Sequence, residues 1–212
     1  MARSGGRWRD LPKSFGKHAA VKRRYYRWIE MGVLDAVLAA LVREADLEWL
    51  MIDSTIVRAH QHAAGARRQK GGADAQGLGR SRGGLSTKIH AASDALGNPV
   101  RLIGSPGQHN DIALAHDLID DFVADATIAD KGYDADHLCE KIAETGGQSV
   151  IPPKRNRTFK RAYDVELYKE RNTIERFFNK LKQFRRLATR YDKLLDNFMG
   201  FVKLAAIAIC LK

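Results

Sequence analysis

The sequence predicts an α/β fold in which a mixed β-sheet is flanked by helices and preceded by a small helical segment. From residue 48 onward, the hydrophobic pattern gives the order strand, strand, strand, helix, strand, helix, strand, long helix. This order indicates three antiparallel strands followed by alternating helices and parallel strands. Such a chain forms a mixed sheet that carries helices on its faces. Two of the strands end on an aspartate, and functional groups collect at the carboxyl ends of strands in such sheets.

Residues 7–44 are predicted to be helical, because apolar side chains recur at helical spacing on both sides of a break at Gly16. Within this segment, residues 22–28 interleave cations with aromatic side chains. That composition suits neutralisation of phosphates together with stacking or packing. The alternative is an amphipathic helix that packs Tyr25 and Trp28 inward. If the stretch binds DNA, its candidate contacts are Arg23, Arg24 and Arg27.

The predicted sheet begins with a short buried strand over residues 48–53, which ends on the carboxylate of Asp53. The composition then changes, because residues 60–84 are rich in Gly, Ala, Arg, Gln and Ser and have no apolar period. This composition predicts either a flexible basic loop that contacts DNA or a plain linker.

The rest of the sheet is predicted from alternating and short apolar runs. Residues 85–92 and 99–103 form a hairpin, since polar and apolar side chains alternate before a turn. Asp111 opens a helix, and the following short strand over 126–130 ends on Asp130. A helix over 136–144, a strand over 149–151 and a closing apolar helix over 194–210 complete the pattern.

One long helix is predicted over residues 164–184, and it carries a stripe of mostly polar side chains. Residues three and four apart share one face of a helix. The alternative to a functional stripe is a solvated face, on which an exposed ion pair contributes only ~0.3–0.5 kcal/mol. Steps of three and four residues connect the members of the stripe, which are Tyr168, Arg171, Glu175, Phe178 and Lys182.

Composition and charge restrict the class of protein. The chain has 212 residues, with 36 Lys and Arg against 25 Asp and Glu, a formal net charge of +11. Basic blocks at 1–30, 58–88 and 154–190 alternate with acidic blocks, a distribution that favours a polyanionic partner around an acidic centre. Two cysteines cannot form a disulfide framework, so we expect a reducing, cytoplasmic location. The apolar run at 204–211 is far shorter than a membrane span requires, so no membrane partner is expected.

Asp53, Asp130 and Glu175 are the candidate catalytic and metal-binding residues. Cleavage of a phosphodiester requires stabilisation of charge on the attacking oxygen, the leaving oxygen and the phosphorus, whereas carboxylates alone repel that charge. Two hard divalent cations held ~3.5–4 Å apart resolve the conflict. Carboxylate ligands suit Mg²⁺ or Mn²⁺.

The polar stripe resembles the signature Y-(2)-R-(3)-E-(6)-K of DDE transposases from bacterial insertion sequences of the four and five groups. Tyr168, Arg171, Glu175 and Lys182 fit all four positions. Residues 52–55 are similar to the first-aspartate motif of that family, and Asp130-Lys-Gly-Tyr-Asp134 is similar to its second.

The resemblance implies a ribonuclease-H-like catalytic domain over residues 46–212, after a partial helical DNA-binding region over 1–45. We expect that region to be shortened relative to the family. The resemblance also implies that Asp53, Asp130 and Glu175 bind the metal ions. It implies that the other three signature residues assist in positioning DNA, and Lys131 of the second motif joins them as a candidate contact.

The partner implied by the resemblance is double-stranded DNA, both the terminal inverted repeats of the element and the target. A homodimer on DNA is a further hypothesis, since transposition joins two ends. The alternatives are a truncated transposase remnant that binds DNA without cleaving it, and a nuclease on the same fold. Zinc binding by His60, His62, His90 and His109 is a weaker hypothesis, because no cysteines accompany them. The glycine-rich loop lacks the Lys-Ser/Thr of a nucleotide-binding P-loop, so ATP dependence is not expected.

Overall fold

The computed structural model describes residues 1–65 and 76–211. Its elements confirm the predicted mixed α/β architecture. The helices are α1 (His18–Glu30), α2 (Val33–Leu41), α3 (Ala115–Ile119), α4 (Asp136–Glu144), α5 (Val165–Tyr168), α6 (Asn172–Lys182), α7 (Arg185–Ala188) and α8 (Leu195–Cys210). The strands are β1 (Trp49–Ala59), β2 (Gly79–Ser81), β3 (Gly84–Ser93), β4 (Pro99–Pro106), β5 (Ala126–Ala129), β6 (Gln148–Val150) and β7 (Thr189–Arg190).

The described strands form one mixed sheet whose main order is β2-β3-β1-β5-β6. Strand β1 lies at its centre, antiparallel to β3 and parallel to β5. Strand β4 pairs with β3 to complete the predicted hairpin, and β7 pairs with the last residues of β1. Both faces of the sheet are covered, so β3 is buried along almost its whole length instead of alternating between core and solvent.

The prediction that the first strand ends at Asp53 is wrong. Strand β1 continues to Ala59, because its antiparallel pairing with β3 extends as far as Arg58. Only the parallel pairing with β5 stops earlier, at Ile52 opposite Ala129. Asp53 therefore lies inside a strand, at the point where one of its two neighbours ends.

The prediction of a loop over residues 60–84 is wrong for part of the segment. A 3-10 turn follows His60, and β2 pairs with the start of β3 near the end of the segment. The buried guanidinium of Arg190 donates hydrogen bonds to the carbonyls of Gln76 and Gly77, which fixes the chain before β2. Backbone pairing and a distant arginine hold this polar segment, so its own composition does not reveal the strand. Residues 66–75 lie outside the described residues.

Two predicted helices are interrupted. The predicted helix 164–184 consists of α5, a 3-10 turn over Lys169–Arg171, and α6. Tyr168 and Arg171 keep right-handed helical dihedral angles, so the stripe is preserved across the turn. Asp111 opens a 3-10 turn before the short helix α3 instead of one continuous helix.

The N-terminal helices share a hydrophobic core with α8 and one face of the sheet. Tyr25 is buried, donates a hydrogen bond to the Asn197 carbonyl at 2.7 Å, and stacks on Phe201 with ring centroids 4.5 Å apart. Trp28 is 37% exposed, so the helix directs only one of these two aromatic side chains fully inward. The division into regions 1–45 and 46–212 stays a prediction. No described helix has both the length and the apolar character needed to cross a membrane.

Tyr25→Ala tests how strongly α1 is anchored to α8. Truncation of a buried aromatic side chain costs ~3–5 kcal/mol of unfolding free energy, and we expect a loss of that size by urea denaturation. Phe159→Ala is the control, because Phe159 is 82% exposed. Its substitution should change stability by no more than ~0.5 kcal/mol. Equal losses in the two variants would contradict the packing of Tyr25.

Candidate active site

Strand register brings the two predicted aspartates together. Asp53 follows Ile52 on β1, and Asp130 follows Ala129 on β5, while Ile52 and Ala129 are the last parallel pair. Alternate residues of a strand share a face. Asp53 thus shares the face of Met51, and Asp130 extends the β5 face that carries Ile128. The two aspartates therefore occupy equivalent places on adjacent strands.

Arg171 connects Asp53 to the third predicted carboxylate. Its Nη1 donates to Asp53 Oδ2 at 2.8 Å, and its Nη2 donates to Glu175 Oε1. The side chains of Asp53 and Arg171 are 16% and 20% exposed, whereas Glu175 is 44% exposed. Helix α6 packs against β1, so residues of the signature contact the middle strand of the sheet. One guanidinium thus joins two of the three carboxylates, with the third on the neighbouring strand.

The electrostatics of Asp53 indicate crowding of negative charge. Burial, together with the charges of Asp130 and Asp111, raises the pKa of Asp53 to about 6. The Ser54 backbone N–H, which donates to Asp53 Oδ1 at 2.7 Å, and the charge of Arg171 oppose that increase. Positive charge at this position would favour the ionised carboxylate.

Among the described residues, Arg171 is a cation that faces this charge. Burial alone would lower its pKa, but the charges of Asp53 and Glu175 raise the pKa above its usual value. Among residues 1–65 and 76–211, no three His, Cys, Asp or Glu side chains are grouped so that they could hold a metal ion. The donor chemistry nevertheless fits a hard divalent cation, because the side chains concerned are carboxylates and one of them is desolvated.

The other predicted contacts have different surroundings. The guanidinium of Arg171 lies 5.9 Å from the centroid of the Tyr168 ring, and burial raises the pKa of Tyr168. Lys131 and Lys182 are exposed. Lys182 lies seven residues after Glu175, a distance of about 10 Å along a helix.

The predicted contacts in the N-terminal segment lie on a separate helix. Arg23, Arg24 and Arg27 are exposed on α1, which packs on α2 and α8. The fold thus brings Arg171 onto Asp53 and Glu175, whereas these three arginines lie exposed on a different helix.

The four histidines considered as zinc ligands do not form one site in the described part of the chain. His60 stacks on His62 and on Tyr191, in both cases with ring centroids 4.7 Å apart. His90 is instead buried in β3, where its Nε2 lies 2.8 Å from Ser105 Oγ. This separation argues against a zinc site among the described residues, where no three His, Cys, Asp or Glu side chains lie together as metal ligands would.

Sequence reasoning missed a buried group of polar side chains behind β1. Ser54 Oγ donates a hydrogen bond to Asp111 Oδ1, which also accepts one from Lys88 Nζ at 3.0 Å. The sequence contained a partial signal, since Lys88 and His90 alternate along a strand with apolar residues. That alternation predicts only a strand, whereas in the structure Lys88 and His90 are buried and Lys88 binds the turn at Asp111.

Comparisons with known proteins agree with the sequence resemblance at the level of the family. The family model for the "Transposase DDE domain" matches residues 45–211. An "Uncharacterized protein" from Sinorhizobium fredii is 85% identical over 72 residues, which are 34% of this chain and 58% of that protein. A "Putative transposase for insertion sequence element IS6501" from Brucella ovis is 43% identical over 132 residues, which are 60% of this chain and all of that protein.

A more distant relative is a "Putative transposase for insertion sequence element IS402" from Burkholderia cepacia. It is 29% identical over 136 residues, which are 58% of this chain and 62% of that protein. The chain thus spans 58% and 62% of the length of two of these three relatives. No solved structure matches the chain.

Arg171→Met tests the charge balance of the site. Loss of the guanidinium leaves Asp53 desolvated and without its cation, and removal of one partner of a buried pair costs about 3–5 kcal/mol. Because both side chains are partly exposed, we expect a loss nearer to about 2 kcal/mol in urea denaturation with EDTA present. The double variant Arg171→Met/Asp53→Asn should recover most of it.

Lys182→Met is the matched control for Arg171→Met, because it removes an exposed cation of the same stripe. We expect its free energy of unfolding to differ from that of the wild type by no more than ~0.5 kcal/mol. A double variant no more stable than Arg171→Met would show that the two side chains are not coupled.

Proposed function

The chain belongs to the family described as the transposase DDE domain, and from this membership we propose that it cleaves and transfers DNA strands at the ends of an insertion sequence. The observation that carries the proposal is the placement of Asp53 and Asp130 directly after the last β1–β5 pair, with Arg171 linking Asp53 to Glu175. A ribonuclease-H-like fold is consistent with the mixed sheet and its helices. Membership of the four and five groups is part of the proposal.

We assign Asp53, Asp130 and Glu175 as the ligands of Mg²⁺ or Mn²⁺. A bound divalent cation would supply the charge that activates a water or 3′-hydroxyl and stabilises the leaving oxygen. The three carboxylates come from β1, from the turn after β5 and from α6, so relative displacement of these elements would disturb the site. The raised pKa of Asp53 supports the assignment, because its ionised form needs compensating positive charge.

Arg171 has two roles in this proposal. It neutralises Asp53 and Glu175 while no metal ion is bound. Once a metal ion takes over that role, Arg171 is available to contact a DNA phosphate, for which its planar guanidinium is well suited. Tyr168 limits the positions that Arg171 can adopt, because the guanidinium lies over its ring.

The DNA surface that we propose extends beyond the carboxylates. Lys131 follows Asp130 and Lys182 ends α6, and both are exposed and able to contact phosphates. Arg23, Arg24 and Arg27 form a second basic surface on α1 for the terminal inverted repeats. A net charge of +11 suits association with duplex DNA. Joining two element ends requires two active sites, so we propose a homodimer on DNA.

The decisive test is cleavage of a duplex that carries the ends of the element, with Mg²⁺, Mn²⁺ or EDTA. We expect cutting at the element ends that depends on the metal and is lost in Glu175→Gln. Asp130→Asn should also abolish cutting while DNA binding stays nearly intact, because it removes a ligand and no phosphate contact.

Three outcomes would contradict the proposal. Cutting that is equal in EDTA, or unchanged in Glu175→Gln, would exclude the carboxylate assignment. Cutting at random positions would indicate a nuclease on the same fold. Binding without cutting in any metal would indicate a DNA-binding remnant.

Lys182→Ala tests the proposed phosphate contact. Each neutralised phosphate contributes about 0.9 to the slope of log K against log salt concentration. The variant should therefore bind the terminal duplex more weakly and with a slope lower by about 0.9. Lys141→Ala on α4 is the control, because Lys141 lies 3.9 Å from Glu144 and belongs to no proposed DNA surface. Identical slopes for Lys182→Ala and the wild type would refute the contact.

A further inference from the structure

A polar cluster lies behind the candidate active site, buried at its two members on β3 and partly exposed at the other two. Successive residues of a strand point to opposite faces, so Ser54 points away from the face that carries Asp53. His90 is the partner of Ser54 on β3. We call this group the Ser54 cluster, and its members are Ser54, Lys88, His90 and Asp111.

The cluster is organised around one carboxylate. Asp111 Oδ1 accepts hydrogen bonds from Ser54 Oγ and, at 3.0 Å, from Lys88 Nζ. Lys88 also donates to the carbonyl of His109 at 2.8 Å. The Lys88 side chain is only 10% exposed. Lys88 is thus a nearly buried cation whose donors bind the turn that carries Asp111.

His90 contributes no formal charge to this cluster. Burial lowers its pKa to about 4, so its imidazole is neutral at physiological pH. Its Nδ1 is buried without a hydrogen bond, 3.9 Å from Asp111 Oδ1. Lys88 is therefore the cation that balances Asp111.

An ion pair at this place, with Lys88 nearly buried and Asp111 partly exposed, is weak evidence for a contribution to stability. Buried ion pairs can often be replaced by well-packed apolar side chains with no loss of stability, because desolvation offsets the attraction between the charges. The same face of the sheet is apolar nearer to β5, where Leu50 and Ile52 are buried. A polar cluster at this position therefore indicates a role other than filling the core.

The position of the cluster suggests that role. Strand β5 ends opposite Ile52, and β7 joins β1 only at Arg58. Between these points, the strands of residues 1–65 and 76–211 pair with β1 on its β3 side only. Its orientation there depends more strongly on contacts from the two faces of the sheet. Arg171 supplies such a contact on one face, and Asp111 supplies one on the other through Ser54.

Ser54 connects the cluster directly to the candidate ligand. Its backbone N–H donates to Asp53 Oδ1 at 2.7 Å, while its hydroxyl binds Asp111. A shift of Ser54 would move the donor that orients the Asp53 carboxylate. The chain of contacts from Lys88 to Asp53 passes through only two intermediate residues.

We propose that Asp111 and Lys88 are positioning residues that fix the direction of the Asp53 carboxylate through Ser54. This inference rests on the proposed function, since it assigns a role in the same strand cleavage. The ion pair fixes the turn that bears Asp111, Asp111 fixes Ser54, and Ser54 orients Asp53. Neither Asp111 nor Lys88 needs to contact DNA or the metal for this role.

The test replaces the ion pair with apolar side chains in the double variant Asp111→Leu/Lys88→Met. Loss of contacts that orient metal ligands reduces metal affinity or activity ~10–100-fold. We expect a fall of that size in the rate of cleavage of the terminal duplex at saturating Mn²⁺, with melting temperature and DNA affinity close to those of the wild type. A normal cleavage rate would overturn the proposal.

The control is the double variant Asp35→Leu/Lys203→Met. It removes an ion pair between α2 and α8, and neither residue belongs to the proposed machinery. Its cleavage rate should equal that of the wild type. An equal fall in both double variants would show that loss of any ion pair slows the reaction, and it would overturn the positioning role.

Ser54 variants separate positioning from folding. Ser54→Thr keeps the hydroxyl that binds Asp111, whereas Ser54→Ala removes it. We therefore expect Ser54→Thr to retain most of the cleavage rate. Ser54→Ala should lose as much of the cleavage rate as the Asp111→Leu/Lys88→Met variant does. Equal rates in the two Ser54 variants would overturn the connection through the hydroxyl.

A second measurement separates failure of this inference from failure of the proposed function. A ligand that binds only the folded protein raises the melting temperature, so Mn²⁺ should raise that of the wild type. The Asp111→Leu/Lys88→Met variant should need higher Mn²⁺ concentrations for the same rise in melting temperature. If the wild type cleaves the duplex and the double variant shows the same cleavage rate and the same Mn²⁺ dependence, the inference alone is overturned. A wild type with neither cleavage nor a Mn²⁺ effect overturns both.

Discussion

The candidate site depends on where the parallel pairing between β1 and β5 stops. The two strands pair with each other as far as Ile52 and Ala129. The residue after each of these is an aspartate, and the two aspartates lie at the same level of the sheet. Adjacent strands lie ~4.8 Å apart, a spacing that brings two like charges close enough to influence each other's pKa. Arg171 enters from the 3-10 turn before α6 and Glu175 from α6 itself, which packs against β1. A shift of one residue in the pairing would turn one aspartate to the opposite face and separate the pair.

Concentrating carboxylates in this place opposes stability. Burial and the neighbouring charges raise the pKa of Asp53 to about 6, so ionisation of this carboxyl is less favourable in the folded chain than in water. Arg171 offsets part of this cost on one face of β1, and the Ser54 cluster holds the strand from the other. The protein thus keeps charged groups on both sides of a strand whose earlier residues lie in an apolar core. Such an arrangement is expected where polar groups serve binding or chemistry instead of packing.

Much of the fold followed from local patterns. The helix predicted over 136–144 has those bounds in the structure, and β5 ends where the apolar run meets Asp130. The sequence pattern predicts β1 too short, because a carboxylate after an apolar run is typical of the end of a buried strand. Its continuation depends on β3, which is distant in sequence. Strand β2 could not be predicted for a similar reason, since Arg190 and the β3 backbone hold it.

The order of residues along the chain thus specified the signature side chains, the basic surfaces and the alternation of strands and helices. These properties depend on short-range spacing, which fixes the faces of helices and strands. The register of β1 against β5, the bridge from Arg171 to two carboxylates and the covering of Lys88 by the turn at Asp111 arose only in the folded chain. They join residues far apart in sequence, and their energies depend on burial and mutual distance. Neither quantity exists until the sheet and its helices are packed together.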